Sequence, residues 1–224
     1  MTEALWTAVD HYIDGLLVPA DAALDAAIAS SNAAGLPSIN VTPSQGKLLH
    51  ILARVQGARR ILEIGTLGGY STIWLARALP EDGRLVTIES DPKHAGIAWT
   101  NISRAGLDGL VDLHLGLALE VLPRLSAEGG GAFDLTFIDA DKQNIPEYFK
   151  FALALSRRGS VIIVDNVVRD GRVIDSASHD PDIMGIRRFN DMLAVEPRVS
   201  ATAIQTVGAK GHDGFAIALV TGGV

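Results

Sequence analysis

Two acidic segments stand where an apolar run gives way to a polar one. The first, "FIDADKQN" at 137–144, carries Asp139 and, three residues on, Lys142. The second, "IIVDNVV" at 162–168, carries Asp165 followed by Asn166. Two carboxylates and an amide oxygen form a hard, all-oxygen set, which suits Mg²⁺, Mn²⁺ or Ca²⁺ better than zinc. Only three protein ligands are offered, so positions stay open for water or substrate oxygens. A lysine beside a divalent cation is disfavoured in its charged form, which makes the neutral amine of Lys142 a candidate general base. Each residue alone fits a lesser role. Asp and Asn are favoured helix N-caps, and a lone lysine is more often a solvated one. Convergence of all of them beside one loop favours metal.

That loop is "ILEIGTLGGYST" at 61–72, with Gly65, Gly68 and Gly69 after the acid Glu63. The spacing is not the dinucleotide G-x-G-x-x-G, and no lysine is present to hold a phosphate. A second acid, Glu89, closes the next apolar run "RLVTIE", where a carboxylate accepts hydrogen bonds from ribose hydroxyls. Glycines let backbone approach a ligand closely and adopt positive φ. An acid before the loop suits a ligand that is cationic there and lacks phosphate, as S-adenosylmethionine is; it would repel a pyrophosphate. The plainer alternative is a tight turn and a solvated strand-end acid. Two acids at consecutive strand ends favour the nucleoside.

These residues need a scaffold that brings strand ends together. Short apolar runs at 60–64, 84–88, 110–114, 133–138 and 159–164 start about 25 residues apart and alternate with helical stretches. This is the period of β-α units and a parallel sheet. Two further runs, 198–207 and 214–220, leave no room for a helix and are joined by "GAKGHD" as a hairpin loop, so one of them runs antiparallel. The layout is α/β: a Rossmann-like, seven-stranded methyltransferase-type sheet, mostly parallel, with an antiparallel C-terminal hairpin and helices on both faces. Upstream, Leu5, Val9, Tyr12, Ile13 and Leu16 recur at helical spacing until Pro19. A second helix runs from about Asp21 to Asn32. A third starts with Thr42 as N-cap, Pro43 at the first position and Gln45 at the capping-box position. One domain spans 1–224, with N-terminal helices over 1–57 and the α/β core over 58–224.

Composition removes several classes of function. There is no cysteine, so thiolate catalysis, Cys-ligated zinc and disulfides are excluded. The 26 acidic against 19 basic residues give a net charge of −7, unfavourable for an extended nucleic-acid footprint. No run approaches the roughly 20 apolar residues of a membrane span, and the N-terminus has the wrong charge for a signal peptide. A soluble, cytoplasmic protein with no membrane partner is expected. Trp74 and Trp99 fall in helices and are expected in the core. Of the six histidines only His179, within the polar segment 167–182, is a candidate for the site.

Together, "EIGTLGGYS", "IES", "FIDADKQNIPEYF" and "VDNVVRDGRV", in this order and at strand ends, resemble the cation-dependent class I O-methyltransferases, the group of caffeoyl-CoA and catechol O-methyltransferases. The resemblance runs from about Val41 to the C-terminus. It implies S-adenosylmethionine as methyl donor, contacted by Val41, Glu63, Gly65, Thr66, Gly69, Ser71, Glu89, Ala118 and Asp139. It implies a divalent cation, usually Mg²⁺, on Asp139, Asp165 and Asn166, with Lys142 as base. It further implies a small-molecule acceptor with vicinal hydroxyls, most naturally a catechol, and a homodimer through the N-terminal helices. Departures are Leu67 in place of a middle glycine, and Val168 with Arg169-Asp170 where plant relatives place an aromatic on the phenolic ring; 167–182 has the length of a flap. Arg169 and Arg172 are candidates to meet an acidic substrate group, or are solvated loop arginines. Methylation of a hydroxylated tRNA nucleoside, as some bacterial relatives perform, is the alternative, with a non-catalytic nucleotide-binding module behind it.

Overall fold

The computed structural model describes residues 2–222. Three helices, α1 (Glu3–Leu17), α2 (Ala22–Ala33) and α3 (Pro43–Gln56), precede the first strand. Then β1 (Arg60–Ile64), α4 (Tyr70–Ala76), β2 (Arg84–Glu89), α5 (Pro92–Arg104), β3 (Val111–Leu115), α6 (Ala118–Glu128) and β4 (Phe133–Ile138) alternate. A 3-10 turn (Lys142–Asn144) leads into α7 (Ile145–Ala154) and β5 (Ser156–Asp165); a second 3-10 turn (Arg172–Ile174) leads to α8 (Pro181–Val195), then β6 (Val199–Gly208) and β7 (Gly211–Val220).

All seven strands form one sheet in the order β3-β2-β1-β4-β5-β7-β6. The first five pair in parallel, and β7 is antiparallel to both β5 and β6. The order reverses between β1 and β4, which opens a crevice at their carboxyl ends, where open α/β sheets place ligands. Both faces are covered, so the central strands are mostly apolar, with Glu63, Thr87 and Thr136 as buried exceptions. On one face Leu62, Ile64, Val86 and Ile138 meet α6, α7 and α8, where fully buried Phe149 and Phe189 stack edge to face at 5.4 Å. On the other Ile61, Leu85, Leu135 and Phe137 meet α2 to α5. Each such side chain contributes about 2 kcal/mol by leaving water.

Helix starts follow local chemistry. Asp21 caps α2, accepting from the Ala23 and Leu24 amides, and also takes a bidentate grip from Arg77 at 2.7 and 3.1 Å, tying α2 to the end of α4. Thr42 caps α3 as its sequence predicts. Two expectations need correction. The hairpin loop is the two residues Ala209 and Lys210, because pairing continues to Gly208 opposite Gly211 and His212 and Asp213 stay in register. Trp99 is 44% exposed: the buried side of α5 is Ala95, Ala98, Asn101 and Ile102, which points Trp99 outward, whereas Trp74 is in the core. Helix α1 buries no residue, and its Leu5, Val9, Tyr12 and Leu16 are exposed.

Candidate active site

The glycine loop leaves β1 against the end of β4. A Cβ on Gly65 would stand 2.2 Å from the Asp139 carbonyl oxygen, and its φ of +97° also favours glycine, so this residue lets the loop and the acid lie side by side. Leu67 sits at φ 52, a strained value for a residue with a side chain. Glu89 holds it there: Oε2 accepts from the Thr66 amide at 3.2 Å and the Leu67 amide at 2.8 Å. Its other oxygen accepts from the Asp91 amide at 3.0 Å, and His94 Nδ1 lies 3.7 Å away.

A cavity of about 450 Å³ opens over this loop. Val41, Gly65, Thr66, Ser71, Glu89, Ala118 and Asp139 line it, with Lys142 and Asn166 at one end. Gly69 and Glu63 are not on its wall. Gly69, at φ 82, is the N-cap of α4. Glu63 is fully buried behind the wall and accepts from Ser71 Oγ at 2.6 Å, Thr72 Oγ1 at 2.5 Å and Thr87 Oγ1 at 2.7 Å. Burial lifts its carboxyl to about 7 against the pull of those three hydroxyls, with the Asp139 charge adding to the rise. Ser71 therefore stands between Glu63 and the cavity.

Asp139 and Asp165 end adjacent strands. Lys142, 7% exposed on its 3-10 turn, donates from Nζ to Asp139 Oδ1 at 2.8 Å. Asp165, 5% exposed, accepts the Asn166 amide at 2.8 Å and the Gln45 side-chain amide at 2.7 Å. Burial, and then the charge of Asp139, push the Asp165 carboxyl well above the usual carboxylate range. Asn166 follows at φ 59. Asp165 faces a second cavity of about 460 Å³ on the hairpin side, and Asn166 borders both.

Among the described residues, no three His, Cys, Asp or Glu side chains gather as a metal site. The set here is two carboxylates and an amide, and its chemistry fits a hard divalent cation. Asp165 is buried and Asp139 partly so, and two neighbouring carboxylates repel each other unless a proton or a cation intervenes.

Several residues escape the sequence. Gln45 was legible only as a capping residue, yet it reaches Asp165 from α3, a long-range pairing with no local signature. His94 and Asp141 line the first cavity, and Tyr148 donates to Asp141. His179 lies outside both cavities. At the start of the 167–182 segment Val167 and Val168 are buried in the core.

A seven-stranded sheet with a nucleoside-sized cavity at its switch point and an acid pair beside it defines a methyltransferase-like enzyme. A family model described as O-methyltransferase matches residues 20–218. The chain is 53% identical to a catechol O-methyltransferase of Niastella koreensis, over 98% of this chain and 100% of that protein. It is also 53% identical to a catechol O-methyltransferase of Mycobacterium tuberculosis, over 95% and 94% of the two. Among solved structures, an O-methyltransferase from Bacillus cereus in complex with SAH superposes with a TM-score of 0.97 at 56% identity, covering 98% and 100% of the chains. The chain belongs to the O-methyltransferase family.

Proposed function

We propose that the protein is an S-adenosylmethionine- and divalent-cation-dependent O-methyltransferase that methylates one hydroxyl of a vicinal diol, a catechol-type small molecule. One observation carries the reading: the glycine loop, Glu89, Asp139, Lys142 and Asn166 border one cavity. Relatives support it, since two are named catechol O-methyltransferases and the Bacillus cereus structure holds SAH.

Glu89 stands at the end of β2 to receive ribose hydroxyls, with Thr66 and Leu67 amides already locked to it. Val41 and Ala118 supply apolar walls for the nucleoside. Ser71, backed by buried Glu63, offers a hydroxyl to the polar end of the methyl donor. When bound, S-adenosylmethionine supplies an electrophilic methyl group, and a divalent cation supplies positive charge that acidifies an acceptor hydroxyl. Asp139, Asp165 and Asn166 are the residues that would hold the cation, and two adjacent acceptor oxygens suit the positions they leave open. Lys142, whose Nζ lies 2.8 Å from Asp139 Oδ1, is the residue that would accept the hydroxyl proton once it stands as the neutral amine. Fixing both reactants against one sheet edge supplies much of the acceleration.

Labelled methyl donor and Mg²⁺, offered with 1,2-dihydroxybenzene, phenol and bulk tRNA, test the reading. Transfer to the diol, at least tenfold above phenol and absent from tRNA, is expected. Equal transfer to phenol would sink the vicinal-diol requirement, and transfer to tRNA alone would replace the substrate class. Asp139→Ala should cut transfer to the diol at least 100-fold.

A further inference from the structure

The two cavities adjoin at a throat that shares Ile39, Asn40, Val41, Asn166 and Arg169 as lining residues. Arg169 is the only charged residue of these five. Its backbone is fixed at φ 54, between Asn166 at 59 and Asp170 at 55. Asp213 Oδ1 clamps this conformation by accepting the Val168, Arg169 and Gly214 amides, each at 3.0 Å, and the His212 carbonyl accepts the Asp170 amide at 2.9 Å. A loop held in an unfavourable conformation aims one side chain at the throat.

That side chain has one long ion pair, to Asp182, and an unused donor. Nε of Arg169 is buried and, among the described residues, meets no acceptor. Asp182 Oδ2 lies 3.8 Å from Nη2, beyond hydrogen-bond distance, and its own side chain is 40% exposed. Other charged groups around the second cavity are engaged: Lys210 Nζ donates to the Ser38 carbonyl at 2.6 Å, His212 pairs with Gln205, and Asp10 accepts the Ala209 amide. Asp170 is exposed. A guanidinium with unused donors, three residues from Asn166, matches a planar anion bidentately.

We propose that Arg169 is a specificity-determining residue that binds a carboxylate on the acceptor, so that the preferred substrate is an anionic vicinal diphenol rather than a neutral or cationic one. This rests on the vicinal-diol reading above. The acceptor presents its hydroxyls to the acid pair and its carboxylate to the throat.

The test compares kcat/KM for 3,4-dihydroxybenzoate and 1,2-dihydroxybenzene in the Mg²⁺-loaded protein and in Arg169→Gln and Arg169→Lys, with melting temperatures confirming that the variants fold. The wild type should prefer the benzoate. Arg169→Gln should lower that preference about 10- to 100-fold, as expected for a lost charge-assisted pair, and Arg169→Lys should retain part of it. An unchanged ratio in Arg169→Gln, or a wild type that prefers the neutral diol, would overturn the assignment. If neither diphenol is methylated, the vicinal-diol reading fails, and calorimetry with S-adenosylhomocysteine and Mg²⁺ decides the role of Arg169. Benzoate binding lost in Arg169→Gln supports it, and binding that is absent or unaffected overturns it.

Discussion

Glu63 is a residue whose environment changes its chemistry. It is fully buried, accepts three hydroxyl hydrogen bonds and titrates near 7, because burial outweighs those bonds. The ordinary value is 4.5, so between these two pH values the native state holds a proton that the unfolded chain has released. Stability therefore falls as pH rises through that window, by roughly 3 kcal/mol in total. Melting temperatures in chelator should decline from pH 5 to pH 8 in the wild type and decline less steeply in Glu63→Gln. Identical slopes would show that the proton sits elsewhere. The sequence marks Glu63 as a strand-end acid beside a ligand loop but is silent on its facing. Strand alternation turns it toward α4, where Ser71 and Thr72 wait, and only the folded sheet reveals that Ser71 is the group on the cavity wall.

At the scale of elements, one contact controls the position of Lys142. Helix α8 crosses the 3-10 turn at Gly185, where an added Cβ would stand 2.3 Å from the Lys142 carbonyl oxygen and 2.6 Å from Gln143 Cα. Gly185→Ala must displace the turn, so we expect a loss of about 1–3 kcal/mol in denaturant unfolding and at least a tenfold fall in methyl transfer. Wild-type values for both would show that the turn does not depend on α8. The strands were legible because each central strand is an apolar run ending in an acid, amide or glycine; their order in the sheet came only with the fold. What was not legible came from pairing across the chain: Gln45 reaching Asp165 from α3, His94 beside Glu89, and the hairpin closing at Ala209 and Lys210. Trp99 misled because aromatic size argues for burial while its helix phase points it outward.

The whole molecule leaves an apolar surface without cover. Helix α1 exposes Leu5, Val9, Tyr12 and Leu16, edge strand β6 exposes Ile204 and Val207, and Val55 of α3 is 82% exposed. Helix α1 packs beside both β6 and α3, exposed apolar surface of this kind marks association, and we expect a homodimer. Light scattering at micromolar concentration should give about twice 23.6 kDa; the monomer mass would contradict it. No helix among the described residues is long and apolar enough to cross a membrane. The proposed mechanism needs a cation at Asp139, Asp165 and Asn166. Initial rates of methyl transfer to 1,2-dihydroxybenzene, measured against Mg²⁺ concentration from full chelation upward, test that most directly. The account predicts negligible rate in chelator, saturable activation, and an Asp165→Ala variant that Mg²⁺ fails to activate. A wild-type rate in chelator equal to that at saturating Mg²⁺ would contradict it.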